Sequence, residues 1–198
     1  RENKNINILS DEIYELILKK EFNHLSLASL ATDLKERIFI INGFAKGWAM
    51  TGWRVGYLVG QKDVIRASSA LQSQSTSNVC SFVQRGALEA LKTNQEFFLK
   101  INSHYDLRRE ILYQGLKNIK GLFIQPPNGA FYAFPRLPDN SMTSVEFCKR
   151  ILDDYGLVVV PGKPFGDDQC FRISCASSKE KIIDGVSRLK KAIFNYYF

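Results

Sequence analysis

A chain of 198 residues with 45% apolar and 24% charged side chains has the makeup of one large folded domain, or one domain with part of another, rather than a disordered chain. No apolar run approaches the roughly 20 residues needed to cross a bilayer, so no membrane partner is expected. The net charge of +7 is spread along helical patterns with acids interleaved, as around Lys181, Arg188, Lys190 and Lys191, which reads as solvated helix faces and predicts no nucleic-acid partner.

The four cysteines, Cys80, Cys148, Cys170 and Cys175, form no C-x-x-C pair, and His24 and His104 are the only histidines. Neither a metal centre nor a histidine-based triad is expected. Isolated buried thiols in a reducing, cytoplasmic setting are the better reading. The first residues lack a signal-peptide core and pass at once from polar residues to a strand-like pattern, as if the chain were cut from a larger protein.

In chain order, Asn5 to Leu9 alternates like a strand and ends in Ser10-Asp11. Glu36 to Asn42 carries consecutive apolar residues stopped by Gly43, as in a strand buried on both faces of a parallel sheet. Trp53 to Gly60 is a third strand bounded by glycines, and a helix follows from Gln61 to about Leu71. Gln72 to Asn78 reads as a loop, and helical spacing returns at Val83, Ala87, Leu88 and Leu91. A long helix is predicted from Gln95 to Ile119, with Gly121 as its left-handed end.

Beyond it, Leu122 to Ile124 and Ala130 to Phe134 read as strands around a Pro-Pro-Asn-Gly turn. Ser144 is the expected cap of a helix to Tyr155 whose Phe147, Ile151 and Leu152 face inward. Leu157 to Val160 and Phe171 to Ser174 read as strands, and Lys179 to Tyr196 as a closing amphipathic helix. The pattern divides into a parallel α/β part over residues 1–95 and an α+β part over 96–198, introduced by the long helix.

Lys46 lies just past the buried strand, four residues after Asn42. Ligands of α/β sheets collect at that end, and a partly desolvated lysine there is an amine nucleophile for an aldehyde. Asp11 reaches the same edge from the first strand, with Tyr14 three residues on. A pyridine-type cofactor needs an anion to keep its ring nitrogen protonated, and a phenol beside the ring oxygen tunes the linkage. Arg54 offers a rigid fork for a phosphate ester. Arg172 interrupts an otherwise apolar strand, which calls for a carboxylate partner from protein or substrate.

Taken singly, these residues have ordinary readings as loop lysine, helix cap and core aromatic. Their setting is more specific. SDEIYE at Ser10 to Glu15 and NGFAKGWAMTGWRVGY at Asn42 to Tyr57 resemble the strand-end and lysine segments of class I/II aminotransferases of pyridoxal-phosphate fold type I. LQSQSTSN at Leu71, GAFYAFP at Gly129, VVPGKPFG at Val159 and FRISCA at Phe171 follow in the family's order and are similar to its later motifs. The likeness covers the whole chain and is greatest to the bacterial-type aspartate aminotransferases.

The resemblance implies the fold type I α/β architecture: the end of the large mixed-sheet cofactor-binding domain, then a small α+β C-terminal domain. It implies transfer of an amino group from an amino acid, aspartate first, to a 2-oxo acid through a pyridoxal 5'-phosphate Schiff base. Lys46 would hold the cofactor, Asp11 the ring nitrogen, Tyr14 the ring hydroxyl, Arg54 the phosphate and Arg172 the substrate α-carboxylate. A homodimer is implied for the full-length protein. The chain departs from the family at Asn78-Val79, where Asn-Pro is common, and at Ala45, where serine often precedes the lysine. It carries no arginine between Gln72 and Ser77, and nothing before Asp11 matches the family's first half. A lyase or decarboxylase of the same fold type, or a non-catalytic module, is the alternative.

Overall fold

The computed structural model describes residues 1–139 and 141–198. The chain divides into two compact units, Arg1–Leu99 and Lys100–Phe198. Among the described residues no helix is long and apolar enough to cross a membrane.

The first unit is built on three strands, β1 (Ile8–Asp11), β2 (Ile38–Gly43) and β3 (Gly56–Val59), in the order β1-β2-β3. β1 runs parallel to β2, from Ile8 beside Ile38 to Asp11 beside Ile41. β3 is antiparallel to β2, with Ile40 opposite Val59 and Gly43 opposite Gly56. The part whose pattern reads as parallel is therefore a mixed sheet, as the family resemblance implies. The connection after Gly43 has no helix to carry it back across the sheet, so the chain can only return antiparallel.

One face of β2 packs Ile38 and Ile40 against Ala31, with Leu27, Ala28 and Leu34 around them; Leu27 and Ala28 belong to the short helix α1 (Leu27–Leu30). Burial on both faces, expected from the apolar run, is also corrected, because Ile41 and Leu9 on the alternate positions are 37% and 64% exposed.

Helix α2 (Lys62–Ser75) runs through most of the segment expected to be a loop. The hydroxyls of Ser68, Ser73 and Ser75 donate to the carbonyls of Val64, Ala70 and Gln72, so the serines turn inward on their own helix instead of breaking it. Helix α3 (Ser81–Ala90) follows. The chain then passes into the second unit within α4 (Gln95–Lys117).

The second unit has a small antiparallel sheet of β4 (Tyr132–Ala133), β5 (Val160–Pro161) and β6 (Phe171–Ser174), in the order β4-β6-β5. Its core brings Leu112 and Leu116 of α4 together with Phe147 and Ile151 of α5 (Ser144–Tyr155), Phe171, and Leu189 and Ile193 of α6 (Lys179–Tyr197). The strand expected over Leu122–Ile124 reduces to one bridge between Phe123 and Arg136. Thr143, not Ser144, caps α5, accepting from the Glu146 N–H at 3.2 Å. Ser144 is fully buried and donates to Asp168 instead. Leu152, expected to face inward, is 47% exposed.

Candidate active site

Because β1 and β2 are parallel, their carboxyl ends meet at one edge of the first unit's sheet. Asp11 is the last residue of β1, and its exposed carboxylate accepts the Ile13 N–H at 3.2 Å. The chain then turns, with Glu15 N–H donating to the Glu12 carbonyl and Ile17 N–H to that of Tyr14. That turn offers the Tyr14 ring to Lys46, whose half-buried Nζ lies 5.6 Å from the ring centroid.

Lys46 sits in the connection between β2 and β3, and several contacts fix that connection. Ala49 N–H donates to the Lys46 carbonyl, Met50 N–H to that of Phe44, and Phe44 N–H to that of Val55. Trp48 next to it packs on Phe44 and Phe98, with ring centroids at 4.9 and 5.4 Å, and its Nε1 donates to the Ala90 carbonyl at 2.8 Å. At the strand ends, Gly43 and Gly56 let the two backbones meet. A Cβ on Gly43 would stand 2.8 Å from the Gly56 Cα.

Arg54 does not begin the third strand as the sequence suggests. It ends a short 3-10 turn, Thr51–Trp53, in the left-handed conformation with φ 51 and ψ 48. Its exposed guanidinium donates to the Thr51 carbonyl at 3.0 Å and lines a cavity of about 260 Å³ with Trp53, Gln72, Thr76 and Asn78. Asp11, Tyr14, Lys46 and Arg54 all belong to the first unit.

Arg172 belongs to the second unit, on β6. Its guanidinium lies 4.4 Å from the Tyr132 ring centroid and 4.6 Å from that of Phe165. Among the described residues no carboxylate forms an ion pair with it. Of the two partners the sequence left open, a protein or a substrate carboxylate, the first is not found there; two aromatic faces flank the guanidinium and leave its in-plane N–H groups for an external acceptor.

The sequence reading passed over Glu12, His24 and Ser26. Glu12 is 6% exposed, and its Oε1 accepts from Ser10 Oγ, Ser26 Oγ and the Leu27 N–H at 3.1, 3.1 and 3.2 Å. Its Oε2 lies 3.0 Å from His24 Nε2. Burial pushes this carboxyl upward, but the bonds from His24, Leu27, Ser26 and Ser10 together hold it below its usual value. The strand alternation contained the signal: if Asp11 faces outward, Glu12 faces in. Nearby, burial raises the Tyr57 phenol, and the Glu15 and Glu12 charges raise it further.

The cysteines divide differently from expectation. Cys148, Cys170 and Cys175 are buried, but Cys80 is exposed. Burial pushes Cys148 up to about 12 and, with the Asp167 contact, Cys170 up to about 11.

The profile of the family described as aminotransferase class I and II matches residues 1–189. The chain belongs to that family. It is 38% identical over 97% of its length to a probable aspartate/prephenate aminotransferase of Rickettsia typhi, covering 51% of that protein. It is 37% identical to the aspartate aminotransferase of Pyrococcus horikoshii, over 97% of this chain and 49% of that protein. The crystal structure of the aspartate aminotransferase from Rhizobium meliloti superposes with a TM-score of 0.88 at 34% identity, covering 95% of this chain and 50% of that one. The fold is accordingly that of the fold type I aminotransferases. The chain spans about half the length of the curated relatives it matches.

Proposed function

We propose that Lys46 binds pyridoxal 5'-phosphate covalently in an aminotransferase whose amino donor is aspartate and whose acceptor is a 2-oxo acid. The observation that carries this reading is the Lys46 ammonium 5.6 Å from the Tyr14 ring, at the edge where β1 and β2 both end. These residues fit the cofactor: an amine, a phenol and an outward carboxylate share one sheet end, and Arg54 stands in the same connection as Lys46. When bound, the cofactor supplies an electron sink for charge developing at the substrate α-carbon.

The chain's own residues supply the rest. Asp11 keeps a proton on the ring nitrogen by accepting from it, and Tyr14 donates to the ring hydroxyl. Lys46 would hold the cofactor, and its amine would serve as the base and acid that moves the proton from and to the substrate α-carbon. Arg54 binds the phosphate, and Arg172 holds the substrate α-carboxylate through two parallel N–H groups, which orients the α-hydrogen. Residues 1–95 serve as part of the cofactor-binding domain and 96–198 as the small domain. The amino donor is taken from the names of the relatives, which specify aspartate. A cytoplasmic homodimer is the proposed assembly. The 198 residues alone do not transaminate, since they span half of the relatives' length.

The test is the absorbance band of the lysine-linked cofactor in the full-length protein supplied with pyridoxal 5'-phosphate. The band is expected in the wild type and absent in Lys46→Ala, with aspartate and 2-oxoglutarate exchanging their amino group only in the former. A band that survives the substitution removes Lys46 from this role.

A further inference from the structure

Glu12 stands next to Asp11 in sequence, yet nothing in the proposed chemistry uses it. A buried carboxylate is costly to keep in a place where an aliphatic side chain would pack well. This one is fully engaged. Ser10, Ser26 and the Leu27 N–H converge on Oε1, and His24 meets Oε2. Glu15 extends the cluster: one carboxylate oxygen each from Glu12 and Glu15 and a ring nitrogen of His24 all lie within 4.8 Å of one another. With four partners already on its two oxygens, Glu12 works as a hub of hydrogen bonds rather than as an open ligand.

The backbone shows what the hub holds. Glu12 N–H donates to the Ile41 carbonyl at 2.9 Å, making the last rung between β1 and β2. The Glu12 carbonyl accepts from Glu15 N–H at 3.0 Å, opening the turn that carries Tyr14. The side chain ties both to the segment His24 to Leu27, which packs under the sheet through Leu27. Asp11 precedes the anchored residue and Tyr14 follows two places later. A rotation at Glu12 therefore displaces the carboxylate and the phenol together.

We propose that Glu12, through the Ser10–His24–Ser26–Leu27 hub, is a positioning residue that sets the placement of Asp11 and Tyr14 toward the cofactor; this rests on the cofactor reading above. Misplacement by a fraction of an ångström weakens both contacts at once. A ring nitrogen less firmly protonated, and a ring hydroxyl that has lost its phenol, each let the lysine–cofactor linkage keep its proton to higher pH.

The experiment uses the full-length holoenzyme loaded with pyridoxal 5'-phosphate, in wild type, Glu12→Gln and His24→Gln. Glu12→Gln keeps the volume but sets an amide among the donors, and His24→Gln disturbs only the partly exposed side of the hub. Expected are a rise of about half a unit or more in the pH midpoint of the cofactor band in both variants, and a roughly tenfold fall in kcat with a smaller change in KM. Hydrogen exchange over residues 10–17 of the cofactor-free protein is expected to quicken in both. A lower Tm with the midpoint and the exchange unchanged would show a merely structural role and overturn the proposal. A wild-type protein with no lysine-dependent band overturns the cofactor reading instead, and the exchange measurement still reports whether Glu12 holds the turn.

Discussion

Arg172 carries its charge between the rings of Tyr132 and Phe165, at 4.4 and 4.6 Å, and this arrangement fixes the guanidinium plane without using its hydrogen bonds. Lysine keeps the charge but has neither the fork nor the flat face. Loss of one charge-assisted hydrogen bond of about 1.5–3 kcal/mol predicts that Arg172→Lys weakens binding of the amino-acid substrate roughly 10- to 100-fold. Titration of the full-length protein with aspartate would read this. The cofactor band should stay at wild-type intensity, because Arg172 is assigned to the substrate and not to the cofactor. At the same scale, the thiols differ in reactivity for electrostatic reasons. Only the thiolate is nucleophilic, and burial raises Cys148 to about 12 and Cys170 to about 11, while Cys80 is exposed. Alkylation of the native chain near pH 8 should therefore modify Cys80 alone, and mass spectrometry that found Cys148 labelled would contradict the packing around α5.

The connection between β2 and β3 depends on two glycines more than on any side chain in it. A Cβ on Gly56 would stand 2.8 Å from the Asn42 carbonyl oxygen, and one on Gly43 equally near the Gly56 Cα. Both obstacles are backbone, which cannot rotate aside. Gly56→Ala is predicted to destabilise the first unit by about 1–3 kcal/mol. Because the displaced segment is the one bearing Lys46 and Arg54, cofactor affinity should fall by more than the stability loss explains. Equilibrium denaturation and cofactor titration on the same variant would separate the two effects. Much of this element was legible in the sequence. Gly43 marked the end of β2 and glycines the bounds of the third strand, and the ordered motifs pointed to Lys46, Asp11 and Tyr14; the close approach of Gly43 and Gly56 appears only in the structure. What the sequence did not convey came from partners remote in the chain. The antiparallel sense of β3 follows from the path taken by residues 44–55, which local periodicity does not encode. The buried Glu12 needs Ser26 and Leu27, more than a dozen residues away. Ser73 and Ser75 of α2 looked like loop residues because only the structure reveals that their hydroxyls bond back to their own helix.

At the scale of the whole chain, the two units are unequally furnished with core. The second buries Leu112, Leu116, Phe147, Ile151, Phe171, Leu189 and Ile193 in one cluster reached from α4, α5, α6 and β6. The first gathers Ala31, Ile38 and Ile40, with partly buried neighbours, on one face of its sheet, and buries Ile17, Phe44, Val83 and Ala87 outside that cluster. On the other face Leu9 is 64% and Ile41 37% exposed, and α2 contributes no buried residue. Burying apolar surface contributes about 25 cal/mol per Å², so a unit with one covered sheet face has much less to set against its conformational entropy. Local opening follows local burial. Hydrogen exchange on the 198-residue chain should therefore reach deep protection at Leu112 to Leu116, Phe147 to Ile151 and Leu189 to Ile193. Exchange should be markedly faster along Ile8–Asp11 and Gly56–Val59. If Ser144, held by Asp168 and bonded to Lys163 N–H, is exchanged for alanine, the second unit's protection should fall while the first unit's is unchanged. Equal protection of β1 and α5 in the isolated chain would mean that cores of such different size carry equal stability, contrary to the area argument.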